Sequence, residues 1–264
     1  MKRTSVKKIL QTFTRGCFIV FVLQSIFQLQ VFAQELPPIQ ADRPDQTESP
    51  YTVPKKHFQV EAGISYEKND KASNSYTYPT VLFKYGVNDN FELRLISEYV
   101  TSHIQSVKYS GVTPVTVGFK VKLAEEKGIF PKLSFIGHLS IPSFASKNFQ
   151  ATWYAPSFRF SMQNTLSEKV SLGYNIGAEW DGETPEPAFI YTLSTGYSIS
   201  EKVGSYIEVY GFLFQKSISD HRIDAGLNYL LKKNMLIDIS GGLGINKYAP
   251  QYYIAVGYSI RLKN

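Results

Sequence analysis

The chain of 264 residues contains one cysteine, Cys17, and only four histidines. A lone thiol forms no internal disulfide. His57, His103, His138 and His221 fall too far apart to give a metal-ligand spacing, and no Gly-rich phosphate loop precedes a helix pattern. No metal and no cofactor is therefore expected. Long hydrophobic runs are also missing. The longest apolar stretch, residues 17–23, is far shorter than the ~20 residues a spanning helix requires. Charge of one sign is scarce as well. The formal +6 comes mostly from residues 1–33, which carry Lys2, Arg3, Lys7, Lys8 and Arg15 and no acid; the remainder has 23 basic against 22 acidic side chains. A near-neutral remainder gives no electrostatic basis for binding nucleic acid.

The chain opens with the order of parts found in a secretory signal: a basic start, a short apolar run, then Val31-Phe32-Ala33 at a cleavage position. Cleavage after Ala33 is expected, and Cys17 leaves with the segment. Residues 34–56 follow as a Pro-rich arm without periodicity (Pro37, Pro38, Pro44, Pro50, Pro54), and residues 57–264 form the remaining unit.

That unit alternates large apolar and small or polar residues almost without interruption. In 251–262, Tyr252, Ile254, Val256, Tyr258, Ile260 and Leu262 share one face, with Tyr253, Ala255, Gly257, Ser259 and Arg261 on the other. The same period recurs at 57–66, 77–87, 91–102, 114–123, 132–141, 152–166, 170–181, 188–199, 203–214, 221–231 and 235–246. Only 203–214 is ambiguous in phase, because Tyr206, Tyr210 and Phe212 share a face with Glu208. Twelve strands of about the ~9–11 residues needed to cross a bilayer at a tilt, joined by short turns alternating with mostly longer loops, predict an all-β, antiparallel, up-and-down transmembrane β-barrel. The high aromatic content (18 Tyr, 18 Phe, 2 Trp) suits this, and rings crowd the strand ends beside the longer loops as a membrane-interface girdle. Lipid allows no open sheet edge, so 251–262 is expected to pair with 57–66. The expected partners are the outer-membrane bilayer, the barrel assembly machinery that recognises a closing strand of this type, and a small solute.

With the large apolar face toward lipid, the lumen is expected to hold Glu61, Lys84, Glu92, Arg94, Glu98, Lys120, Lys122, Arg159, Glu179, Glu208, Arg222, Asp224 and Asp238. Such a balance of signs argues against a strongly ion-selective ring. Solute contact and bracing of the wall are both open readings for each of these residues. A passive channel is the leading function. An enzyme is one alternative: His138 and Ser140 share a face, as in outer-membrane phospholipases, but that face is the lumen and the family's Asn-Gly continuation is absent. A closed structural barrel is the other.

The segment Ala41-Asp42-Arg43-Pro44-Asp45-Gln46-Thr47-Glu48-Ser49-Pro50, followed by Val53-Pro54 and His57-Phe58-Gln59-Val60-Glu61-Ala62-Gly63, resembles the start of a known family. It is the one named for a putative meta-pathway of phenol degradation, whose members are often described simply as transporters. Lys56 stands where that family often has Gly. The resemblance implies an outer-membrane barrel that takes up aromatic or other small hydrophobic compounds. For Asp42, Arg43, Asp45 and Glu48 two readings remain: an arm folded into the barrel mouth that gates it, or a periplasmic lead-in held by Pro turns and side-chain caps.

Overall fold

A computed structural model describes residues 36–263. The expected signal segment, 1–33, lies outside the described residues. Thirteen strands follow one another: β1 His57–Lys68, β2 Ser73–Asn88, β3 Phe91–Ile104, β4 Val107–Val112, β5 Val115–Ala124, β6 Lys132–Ile141, β7 Ala155–Thr165, β8 Val170–Glu179, β9 Ala188–Ser198, β10 Val203–Phe214, β11 Asp220–Lys232, β12 Met235–Gly244 and β13 Tyr252–Lys263. Sequence neighbours pair antiparallel throughout, except that β5 pairs with β3 rather than β4. β13 closes the ring on β1, with His57 opposite Lys263 and Lys68 opposite Tyr252.

The wall has twelve positions, not thirteen. β4 and β5 share one of them, since β4 pairs with the far half of β3 (Tyr99–Ile104) and β5 with its near half (Phe91–Ile96). Thr113-Pro114 separates the two pieces. Proline has no N–H to donate to a ladder, which accounts for the break. β1, β2 and β3 reach beyond their sequence-based limits at the loop end and stay paired there, whereas β7, β8 and β12 stop short of theirs. Two single 3-10 turns, Pro142–Phe144 and Lys147–Phe149, lie in the loop after β6.

Alternation sorts the wall into two faces. Ile64, Leu93, Ile176, Ile207, Ile239 and Ile254 lie on the exposed exterior, while Gln59, Glu61, Lys84, Glu92, Lys120, Ser134, Ser161, Asn175 and Ser259 are buried inside. This is inside-out relative to a water-soluble protein and matches lipid outside. The ambiguous strand β10 resolves with Tyr206, Glu208 and Tyr210 inward and Ile207 and Leu213 outward. Outside, near the loops, the Tyr66 ring packs at a tilt 4.8 Å from Tyr76 and 6.0 Å from Tyr252, and Tyr78 lies 5.7 Å from Tyr99.

Candidate functional site

The barrel interior is occupied by the segment preceding β1. It enters at the turn end, where Ile39 N donates to Lys233 O in the β11–β12 turn (2.8 Å). It leaves at the same end, where Thr52 and Lys55 bond Asp89 and Lys56 N donates to Gly86 O. Between these anchors the chain forms a loop inside the lumen. Asp42 closes that loop by accepting from Ser49 N (3.1 Å) and Ser49 Oγ (2.8 Å). Lys56, at the junction with β1, has φ +58°, a left-handed conformation that glycine adopts without a Cβ penalty. That gives a physical reason for the family's glycine there.

Three groups of wall residues hold the loop. On the β1–β2–β3–β5 side, Lys84 Nζ and Arg94 Nη1 donate to Asp42 Oδ2 (2.9 and 3.0 Å), and Lys120 Nζ donates to Asp42 Oδ1 (2.9 Å). Arg94 Nη2 forks onto both oxygens of Glu48 (3.1 and 2.9 Å). Two wall carboxylates complete the network, Glu61 on Lys84 and Glu92 on Arg94 (3.3 Å). Glu61 also accepts from the backbone N–H of Asp42 and Arg43, and Glu92 from Val53 N (2.7 Å). Burial by itself raises the pKa of Asp42, but Lys120, Lys84 and Arg94 outweigh it and hold the carboxyl well below the usual range.

On the opposite side the wall is acidic. Arg43 Nη2 donates to Asp238 (3.1 Å), Gln46 N to Glu208 (2.7 Å), and Thr47 Oγ1 to Glu208 while accepting from the Thr192 hydroxyl (2.6 Å). Asp224 is met by the Tyr253 hydroxyl, and Asp45 by Ser194 Oγ (3.1 Å). Gly63 and Gly257 face each other across the β1–β13 seam, and a Cβ on either would run into the Arg43 guanidinium. The remaining contacts are neutral. Asn175 reads both the N–H and the carbonyl of Glu48 (2.7 and 3.0 Å), Ser161 donates to the same carbonyl, and Ser134 donates to Pro50 O (2.6 Å).

The wall residues expected to line the lumen thus divide. Glu61, Lys84, Glu92, Arg94, Lys120, Glu208 and Asp238 touch the arm directly, and Arg159 does so through Gln46 O (3.1 Å) while lying 3.5 Å from Glu179. Glu98 (to Thr80, 2.9 Å), Lys122 (to Glu125, 2.6 Å) and Arg222 (to Asp220 and Glu67) make their contacts away from it. Gln59, Ser134, Ser161, Asn175 and Thr192 add a second, neutral set of hydrogen bonds to the arm, smaller than the one made by the charges. As small neutral residues on the polar face, they offered no distinguishing signal. Ile136, on the inner face between Lys120 and Arg159, shows that this face is not uniformly polar.

Free space remains on both sides of the loop. A crevice of about 380 Å³ toward the turns is lined by Gln40, Arg43, Ser171 and Asn228, and a pocket of about 250 Å³ toward the loops by Glu98, Thr116, Ser140, Trp153 and Trp180. Ser140 hydrogen-bonds Thr116 (2.6 Å), and His138 Nε2 is buried without a hydrogen-bond partner, so the two do not form a nucleophile–base pair. Among the described residues, no group of His, Cys, Asp or Glu is arranged to hold a metal ion.

Fold and interior together define a transmembrane β-barrel of the outer-membrane type whose lumen is filled by its own N-terminal arm. Residues 41–262 match the family described as "Putative MetA-pathway of phenol degradation", and the chain belongs to that family. No curated protein matches the chain. Among solved structures it is similar to an outer membrane channel from Pseudomonas putida F1, at 13% identity and TM-score 0.67 over 83% of this chain and 99% of that one. It is also similar to the KdgM porin (11% identity, TM-score 0.53, 76% of this chain and 98% of that one) and the NanC porin (11%, 0.51, 78% and 100%). At these identities the likeness concerns the fold.

Proposed function

We propose that the protein is a passive outer-membrane channel for small solutes, closed at rest by residues 38–54 and opened when that loop leaves the lumen. The observation that carries this reading is the loop's course. Both of its anchors lie at the turn end, so the loop withdraws toward the periplasm without a free end passing through the barrel. Its contacts are almost all polar, and both the loop and the vacated wall are well solvated once water replaces those contacts. A lumen lined by charges and hydroxyls passes small hydrophilic or amphiphilic solutes. The aromatic substrates implied by the family name would cross as such solutes, with no catalytic step. Export by the 1–33 signal and insertion by the assembly machinery, with β13 as the recognised strand, complete the reading.

Deleting residues 36–50 and recording single channels in planar bilayers tests it. Conductance is expected to rise severalfold over the full chain. An unchanged conductance removes the gating role, and the absence of conductance in both forms makes the barrel a closed structural element.

A further inference from the structure

The arm's Asp42 occupies a site built for a carboxylate. Five donors converge on its two oxygens: Lys84, Arg94 and Lys120 from the wall, and the N–H and hydroxyl of Ser49 from the arm. The three wall cations are themselves buried, with side chains at most 1% exposed. Their charge is only partly matched by the wall. Glu61 compensates Lys84 and Glu92 compensates Arg94, whereas the acidic partners of Lys120 are Asp42 and, at 3.7 Å, Glu48, both on the arm. When the arm leaves, the wall keeps three cations against two carboxylates, all fixed on neighbouring strands. One uncompensated positive charge remains, with its donors already aimed at a common point. Leaving such a charge unpaired is costly, and a single small anion neutralises it.

We infer that the Lys84–Arg94–Lys120 cradle is a binding site for a small organic monocarboxylate in transit, and that Asp42 fills it as a built-in surrogate when the channel is closed. The inference rests on the proposed arm-gated channel. It goes further by naming the solute's chemical class and by making solute and arm competitors for one site. A monocarboxylate arriving from the loop side then shifts the arm toward its open position by as much as it favours the vacated cradle. Neutral compounds of the same shape lack that effect. The acidic wall on the far side, with Glu208, Asp224 and Asp238, disfavours anions and directs the carboxylate to the cradle side.

The test uses the full chain carrying Asp42→Asn and Glu48→Gln, together with the chain lacking residues 36–50. Both are recorded in planar bilayers with benzoate, benzamide, acetate or inorganic phosphate on the loop side. Both are expected to conduct more than wild type. Benzoate and acetate should interrupt the current at concentrations roughly tenfold or more below benzamide and phosphate, in line with charge-assisted hydrogen bonds to a planar carboxylate. Lys120→Gln in either background should remove the difference; Lys84→Gln serves the same purpose if the first does not show the heat-modifiable gel migration of a folded barrel. Equal action of benzoate and benzamide, or a preference that survives both lysine substitutions, overturns the cradle while leaving the arm as a gate. Phosphate acting as well as acetate overturns the carboxylate assignment. If neither variant conducts more than wild type, the gate fails and the cradle with it.

Discussion

Replacing Arg94 with methionine probes how firmly the arm is held. Arg94 donates to Asp42 (3.0 Å) and forks onto Glu48 (3.1 and 2.9 Å), and its wall contact is Glu92 at 3.3 Å. Methionine keeps much of the stem's volume and removes the charge. Asp42 then retains Lys84 and Lys120, while Glu48 keeps only Lys120 at 3.7 Å. Removing one partner of a buried ion pair costs about 3–5 kcal/mol. Because Glu48 is 16% exposed and Asp42 remains doubly paired, the lower end applies, about 3 kcal/mol. That cost falls on the seated arm alone, since Asp42 and Glu48 are in water once the arm is out, and the loss at Glu92 is common to both states. The closed-to-open ratio should therefore fall roughly 150-fold, as ~1.4 kcal/mol is a factor of ten. Single-channel recordings give the open probability of wild type, Arg94→Met, Glu48→Gln and the double variant. The cycle should show a coupling of at least about 1 kcal/mol between the two positions. An open probability within about threefold of wild type, in a protein that still migrates as a folded barrel, would falsify the idea that this ion pair holds the arm.

Three further outcomes are expected. Asp45 lines a separate pocket of about 180 Å³ beside the arm, and burial pushes its carboxyl up to about 7; the Ser194 hydrogen bond opposes the rise, while Asp224 and Asp42 add to it. A docked acid with a raised pKa carries a proton that the free arm has already lost above pH ~4, so the arm's hold weakens as pH rises from there toward 7. Open probability should increase between pH ~5 and ~7, by less than about tenfold per unit because a single proton sets that ceiling, and Asp45→Asn should flatten the profile; a decrease over this range contradicts the assignment. Gly257→Leu puts a side chain where the Arg43 guanidinium lies, forfeiting the charged hydrogen bond to Asp238 and raising the open-to-closed ratio by roughly 10–100-fold with the barrel intact; closed channels in a correctly folded variant show that Arg43 does not lie against the seam. Ile239→Arg places a charge on the outer face and should lower unfolding stability by about 2–4 kcal/mol in lipid vesicles; wild-type stability would mean this face does not meet hydrocarbon.

The barrel was legible because its cause is local and periodic. A residue's face depends on parity alone, so a dozen stretches of alternation specify inside and outside without any knowledge of partners. The closing pair followed from the absence of tolerated edges in lipid, and β1 and β13 do pair along their whole length. Local causes also explain the failures. β10 was ambiguous because tyrosine suits a lipid interface and a polar lumen equally well, and only the neighbouring strands decide that Tyr206 and Tyr210 face in. β4 was hidden inside an expected loop because it is only six residues long and is cut from β5 by Thr113-Pro114, too short a run for alternation to mark it.

The site was less legible, for a different physical reason. Its decisive contacts join Asp42 to residues 42, 52 and 78 positions away, and no periodicity encodes a meeting of that kind. Counting lumen charges of both signs suggested a balanced wall, but a balanced total conceals where each charge is matched. The cationic side holds Lys84, Arg94 and Lys120 against Glu61 and Glu92, and the far side places Glu208, Asp224 and Asp238 together; the arm answers the first with Asp42 and Glu48 and the second with Arg43 and Thr47. The arm's charge order is thus complementary to the wall's. A periplasmic lead-in held only by its own turns has no need of that complementarity, nor of two glycines facing each other where one guanidinium must pass. The wall and the arm fit as two halves of one electrostatic arrangement, and moving either half leaves the other with charges that only a solute or water can answer.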